Sequence, residues 1–157
     1  MALTKYTVEK QDSISYQHFS VNDCFIKKHI SIAYLSKTSE LISSLQEIHM
    51  SKDTRSYFAS IVWEREIALI YDESMSEEIH RCMKDSKIKL KLDNLSLIWI
   101  FLDEEKINEI GTIYNLTKKL NFHAVNIVEI ISNYTEISFI VERQDFQKSV
   151  EVLVWEK

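Results

Sequence analysis

The amino-acid sequence predicts an α+β fold built from two ferredoxin-like βαββαβ units, each an antiparallel four-stranded sheet with helices on one face. Three observations carry this. Short segments with β-rich or two-residue apolar alternation are interleaved with segments of helical spacing. The element order of the first half recurs in the second. The pentapeptide Glu66-Ile67-Ala68-Leu69-Ile70 returns seventy positions later as Glu136-Ile137-Ser138-Phe139-Ile140, at the same place in both element orders, which argues for internal duplication.

The elements follow in order. Ile30 to Leu35 is a β-rich run, and Glu40 to Met50 sets Leu41, Leu45 and Ile48 on one helical face. Tyr57 to Trp63 and Ile67 to Tyr71 form a hairpin turned at Glu64 and Arg65. Ser74, with Glu77 three residues on, reads as a capping box opening a helix from Met75 to Met83. Lys87 to Leu92 alternates lysine with Ile or Leu, as a strand with one buried face does. The second half repeats the order: strand Leu95 to Leu102, helix Gly111 to Leu120, strands Val125 to Ser132 and Glu136 to Glu142, then a helix from Asp145 to about Val154. The chain therefore divides into an N-terminal segment 1–28, a first unit 29–94 and a second unit 95–157. The second unit ends before a fourth strand. Ser13 to Val21 or Cys24 to Lys28, within residues 1–28, is expected to supply it, because a bare sheet edge invites aggregation.

Composition narrows the function. A chain of 157 residues with 45% hydrophobic content can bury a proper core, and a net charge of -5 argues against nucleic acid, whose binding rests on clustered Lys and Arg. An RNA-binding sheet of the same element order would carry a Lys/Arg-Gly-aromatic signature that is missing. No window approaches the ~18 unbroken apolar residues of a membrane span, and the start of the chain does not resemble a signal peptide. A cytoplasmic protein with no membrane partner is expected. Cys24 and Cys82 stand apart and read as reduced thiols; the five histidines show no metal-ligand spacing. No catalytic constellation and no cofactor fingerprint are present, so the chain is expected not to be an enzyme. The Lys87, Lys89 and Lys91 row reads as protection of a sheet edge, Asp103-Glu104-Glu105 as a solvated loop, and Trp63, Trp99 and Trp155 as core or interface packing.

One position stands out. The chain has a single glycine, Gly111, and no proline, and that glycine lies where a strand gives way to a helix. Glycine there allows close backbone approach, and a helix N-terminus presents unpaired N–H groups to an anion such as a carboxylate.

From Asn108 to Leu153 the chain resembles the ACT-domain family, specifically the tandem ACT units of aspartokinase regulatory regions and stand-alone ACT proteins. The stretch Asn126-Ile127-Val128-Glu129-Ile130-Ile131-Ser132, followed by Tyr134-Thr135-Glu136-Ile137-Ser138-Phe139-Ile140-Val141, is similar to the family's second strand, turn and third strand, and Gly111 matches its loop glycine. The first unit matches by element order. The resemblance implies a non-catalytic regulatory protein that binds an amino acid or similar small effector at an interface between units or subunits. It further implies a homodimer or higher homo-oligomer and a regulated enzyme partner. Carried over residue by residue, the ligand site is Ile110, Gly111 and Thr112 in the loop and helix start, with Asn126, Ile127 and Val128 on the strand. The chain departs from the pattern at Ile110, where the family commonly has Pro, and at Ala124, where it commonly has Gly. The first unit has no glycine in its corresponding loop, Lys37-Thr38-Ser39. These departures favour the alternative, a ligand-free ACT-like dimerisation or protein-interaction module.

Overall fold

A computed structural model describes residues 23–51, 56–102, 107 and 110–155. Within them lie six strands: β1 (Asp23–Ser36), β2 (Phe58–Val62), β3 (Glu66–Asp72), β4 (Ile88–Phe101), β5 (Ile127–Ser132) and β6 (Glu136–Glu142). The helices are α1 (Ser39–Ser51), α2 (Ser76–Met83), α3 (Thr112–Phe122) and α4 (Phe146–Val150), the last continued by a π-helical turn over Glu151–Trp155. The strands form one antiparallel sheet in the order β2-β3-β1-β4-β6-β5.

Two strands of fourteen residues, β1 and β4, organise this sheet. The runs read from sequence as separate strands, Lys87 to Leu92 and Leu95 to Leu102, are one strand, so the boundary placed between residues 94 and 95 falls inside β4. Asn94 joins the two parts in a left-handed conformation, φ 61°, and His29 does the same in β1 at φ 58°. The first part of β1, Asp23–Lys28, pairs with Ser96–Phe101, while its later part lies between β3 and the first part of β4. Ser13 to Val21, the other segment considered for that edge, lies outside the described residues.

Both faces of the sheet are buried. On one face, α1 and α2 place Leu41, Leu45, Ile48, Ile79 and Met83 against Ala33, Leu35, Ile67 and Leu69. On the same face at the other end, Leu116, Leu120, Val150 and Leu153 cover Ile98, Ile100 and Phe139. The opposite face closes on itself. Ile30, Ile32, Ala68, Ile70, Leu95, Leu97 and Ile140 form its core, and both edge strands reach it, through Ala59 and Ile61 of β2 and Val128 and Ile131 of β5. Strands lie about 4.8 Å apart, so the edges of a flat six-stranded sheet would be separated by more than about 20 Å. The sheet must therefore curl. Tyr34 on β1 donates its hydroxyl to Glu129 Oε2 on β5 at 2.6 Å across the concave side, with β4 and β6 between them in the sheet. Burial, reinforced by the Glu129 carboxylate, pushes the Tyr34 phenol up to about 12.

The expected capping box at Ser74 is replaced by a cap from Asp72. Its carboxylate, 5% exposed, accepts from the Ser74 amide at 3.1 Å and from the Tyr57 amide at 2.7 Å. The Ser74 hydroxyl and Lys27 Nζ also donate to it. A 3₁₀ turn, Glu73–Met75, intervenes before α2, so Ser74 sits within the turn and not at the cap. Two lysines of the row are paired: Lys89 with Glu66, and Lys91 with Asp93 at 3.1 Å. Trp63 is 46% exposed at a strand end, Trp99 is half-buried, and the side chain of Trp155 is outside the description.

Burial acts to raise the Asp72 pKa, but Lys27, Ser74 and the Tyr57 amide outweigh it and hold the carboxyl below the usual carboxylate range. A depressed folded-state pKa contributes stability above the unfolded value that is lost as pH falls through the folded one. Asp72→Asn is therefore expected to cost about 2 kcal/mol at neutral pH. The gap from wild type should narrow below about pH 4, as urea titrations at several pH values will report.

Candidate functional site

The candidate site begins with how α3 starts. Gly111 is the N-cap residue, at φ 87° and ψ 14°, and its carbonyl accepts the first helical bond from Asn115 N–H at 2.8 Å. No side chain caps this end. A Cβ built on Gly111 would meet nothing within 4 Å, so glycine is demanded by backbone conformation and not by crowding. The equivalent position in the first half is Thr38, whose carbonyl accepts from Ile42 N–H at 3.2 Å. There the Thr38 hydroxyl also accepts from the Leu41 amide at 3.2 Å, the usual N-cap bond. One helix start is closed by its own side chain; the other opens on a glycine, which has no side chain to cap with.

Beside Gly111 lies a cavity of about 360 Å³, near the lower end of small-molecule sites. Leu102, Ile113 and Ile137 supply apolar wall; Thr112, Ser132 and Asn133 supply polar groups, and the rings of Tyr114 and Tyr134 stand at its side. Thr112 is buried, while Ile110, Tyr114 and Tyr134 are 98%, 62% and 75% exposed. The register explains why these residues meet. Phe101 at the end of β4 pairs with Glu136 at the start of β6, and Leu102 N–H bonds the Thr135 carbonyl at 2.8 Å. The chain leaving β4 toward α3 therefore passes the β5–β6 turn. Apart from the two tyrosines, no ionisable side chain lines the cavity among the described residues. Asp103-Glu104-Glu105 lies outside them.

Of the six residues expected at the site, Gly111 and Thr112 line this cavity; Ile110, Asn126, Ile127 and Val128 do not. Asn126 is exposed just before β5, with its amide donating to Asp145 Oδ2 at 3.3 Å. Ile127 packs toward the α3 and α4 core and Val128 toward the concave core. Helix α3 separates the two groups. Its eleven residues span about 16 Å, and Gly111 precedes it whereas Asn126 follows it. Among the residues that sequence reasoning missed, Ser132 ends β5, and Asn133 and Tyr134 lie in the turn joining it to β6. The pairing of the second half's strands was the signal that brings them to the start of α3.

The C-terminal end of α3 accounts for the departure at Ala124. Val125 N–H bonds Leu120 O and Ala124 N–H bonds Asn121 O, both at 3.0 Å, which is a Schellman motif with Ala124 at φ 53°. That conformation favours glycine, and alanine adopts it under strain.

No family model matches the sequence, and no curated protein matches it. Solved structures do. An allosteric aspartate kinase from Clostridium acetobutylicum superimposes with a TM-score of 0.65 at 16% identity, over 85% of this chain and 34% of that one. The regulatory subunit of aspartate kinase from Thermus flavus gives 0.64 at 9% identity, over 86% and 97%. The ligand-free regulatory subunit from Thermus thermophilus gives 0.63 at 10%, again over 86% and 97%. The chain thus spans about a third of the Clostridium enzyme and nearly the whole of the Thermus regulatory subunits. At these identities the likeness establishes the fold, an ACT-like arrangement of the kind in aspartokinase regulatory domains. Among the described residues no helix is long and apolar enough to cross a membrane.

The strain at Ala124 gives a direct test. Ala124→Gly should relieve about 1–2 kcal/mol of left-handed strain, offset by about 0.4–1 kcal/mol of added unfolded-chain entropy. A net gain of about 0.5–1 kcal/mol is expected in thermal or urea unfolding.

Proposed function

We propose that this chain is a non-catalytic regulatory module that senses a small effector of the amino-acid class and transmits occupancy to an enzyme partner. The observation that carries it is the uncapped start of α3 facing a cavity, where the matching start of α1 is closed by Thr38. The positive end of a helix dipole favours a carboxylate, and the apolar walls suit a side chain. The regulatory aspartate kinase structures that share the fold support a regulatory role.

The working site is read as shared between two copies. Gly111 and Thr112 lie at one end of α3 and Asn126, Ile127 and Val128 beyond the other, so one molecule does not bring them onto one small ligand. In a two-fold dimer the strand start of one copy would face the helix start of its partner. The sheet is correspondingly read as two ACT-like units that share β1 and β4. A cytoplasmic location fits this role. A second reading, a ligand-free association module, is favoured by the exposed apolar residues Ile110, Ile113, Tyr114 and Tyr134 around the cavity, which suit a protein contact equally well.

A thermal-shift screen against the common amino acids separates the two. An effector at about 100 times its dissociation constant should add about 2.7 kcal/mol of stability. Gly111→Val should abolish that shift while costing about 1–3 kcal/mol in the unliganded protein. Sedimentation should show a dimer for both forms. Silence across the whole panel, with the dimer intact, would establish the association module instead.

A further inference from the structure

We propose a second ligand site, which shares only Asn133 with the described lining of the Gly111 cavity, that takes a small organic cation between the two edge strands on the concave side of the sheet. A cavity of about 290 Å³ lies where the start of β2 approaches the end of β5. Its walls include the rings of Tyr57 and Trp99, whose centroids are 5.8 Å apart at an interplanar angle of 76°. Ser56, Asn133 and Ser138 add polar atoms, and Glu136 is the one carboxylate among the described lining residues, which include no lysine, arginine or histidine. Aromatic faces set at a steep angle, with a carboxylate beside them, are the chemistry that holds an ammonium group: ring quadrupoles attract the cation and the carboxylate neutralises it.

The internal repeat gives a second observation. Glu136 is the counterpart, seventy positions on, of Glu66, and both open a central strand and accept a backbone bond from the turn before it, Trp63 to Glu66 and Asn133 to Glu136. Glu66 is paired with Lys89. Glu136 receives only the neutral amide of Asn133, Nδ2 to Oε2 at 3.1 Å, among the described side chains. Lys27, which lines the adjacent cavity with Phe25 and Phe101, is paired with Asp72. Burial raises the Tyr57 phenol above its ordinary value, which keeps that ring neutral.

The test is nitrogen-15 NMR on the whole chain with choline as the probe and its uncharged carbon isostere, dimethylbutanol, as the control. The Trp99 indole resonance is assigned by comparison with Trp63→Phe and Trp155→Phe. Choline is expected to shift that resonance saturably, and the isostere to act roughly tenfold more weakly. Glu136→Gln should weaken choline by a similar factor, whereas Gly111→Val should leave it unchanged. Should Glu136→Gln fail to fold, the comparison of choline with its isostere on the wild-type chain decides alone. An absent saturable response, an isostere as effective as choline, or an unchanged affinity in folded Glu136→Gln would each overturn the proposal.

Discussion

The rest of the molecule depends on one constraint: β1 and β4 must each present the correct face to two different hydrophobic cores along their length. Side chains on a strand alternate, so an uninterrupted strand fixes which parity faces which side. In β1, Phe25 meets Trp99 on the concave side, yet Ile30 and Ile32 occupy that side further along. In β4, Leu92 gives way to Leu95 and Leu97 in the same core. The parity changes at His29 and at Asn94, the two left-handed residues, where the β1–β4 register also shifts. Each bulge inserts one residue and restores the apolar face. Such conformations cost about 1–3 kcal/mol for a residue with a side chain. The buried residues on either side hold them in place.

The same economy of glycine shapes the candidate site. Helices commonly end on a left-handed glycine and begin on a side chain that caps. In α3 this is inverted: the only glycine stands at the start, and an alanine takes the left-handed position at the end. The end is closed by the bonds that Val125 and Ala124 donate to Leu120 and Asn121. The start lacks a side-chain cap and faces a cavity walled by the β5–β6 turn. The beginning of a helix and a hairpin thus meet at one cavity.

Much of this was legible in the sequence where local periodicity decides. The helical face of Leu41, Leu45 and Ile48 is buried as its spacing requires, and so are Leu116 and Leu120, whereas Ile113, which the same spacing places with them, is 44% exposed; the twin pentapeptides open β3 and β6, each one strand in from an edge of the sheet. The continuity of β4 was not legible, because Asp93-Asn94 has the composition of a turn and only pairing with β1 keeps the strand running. Asp72 was missed as a cap for a similar reason. Its partners Lys27 and Tyr57 are remote in sequence, and Ser74 offered a local pattern that a buried carboxylate supersedes. For the site, Gly111 was visible through composition. That the β5–β6 turn walls its cavity depends on the β4–β6 register, which no local pattern encodes.

The long pairing of β1 with β4 also sets a schedule for folding during synthesis. Among the described residues, Asp23 to Lys28 find their strand partners only in Ser96 to Phe101. At ribosomal rates of about 5–20 residues per second, β1 waits several seconds after it is made before that partner exists. Until then α1, α2, β2 and β3 can gather around the later part of β1, while its first part, with Phe25 and Ile26, has no neighbour in the sheet. The nascent chain thus carries an unpaired apolar strand end until Phe101 has been made.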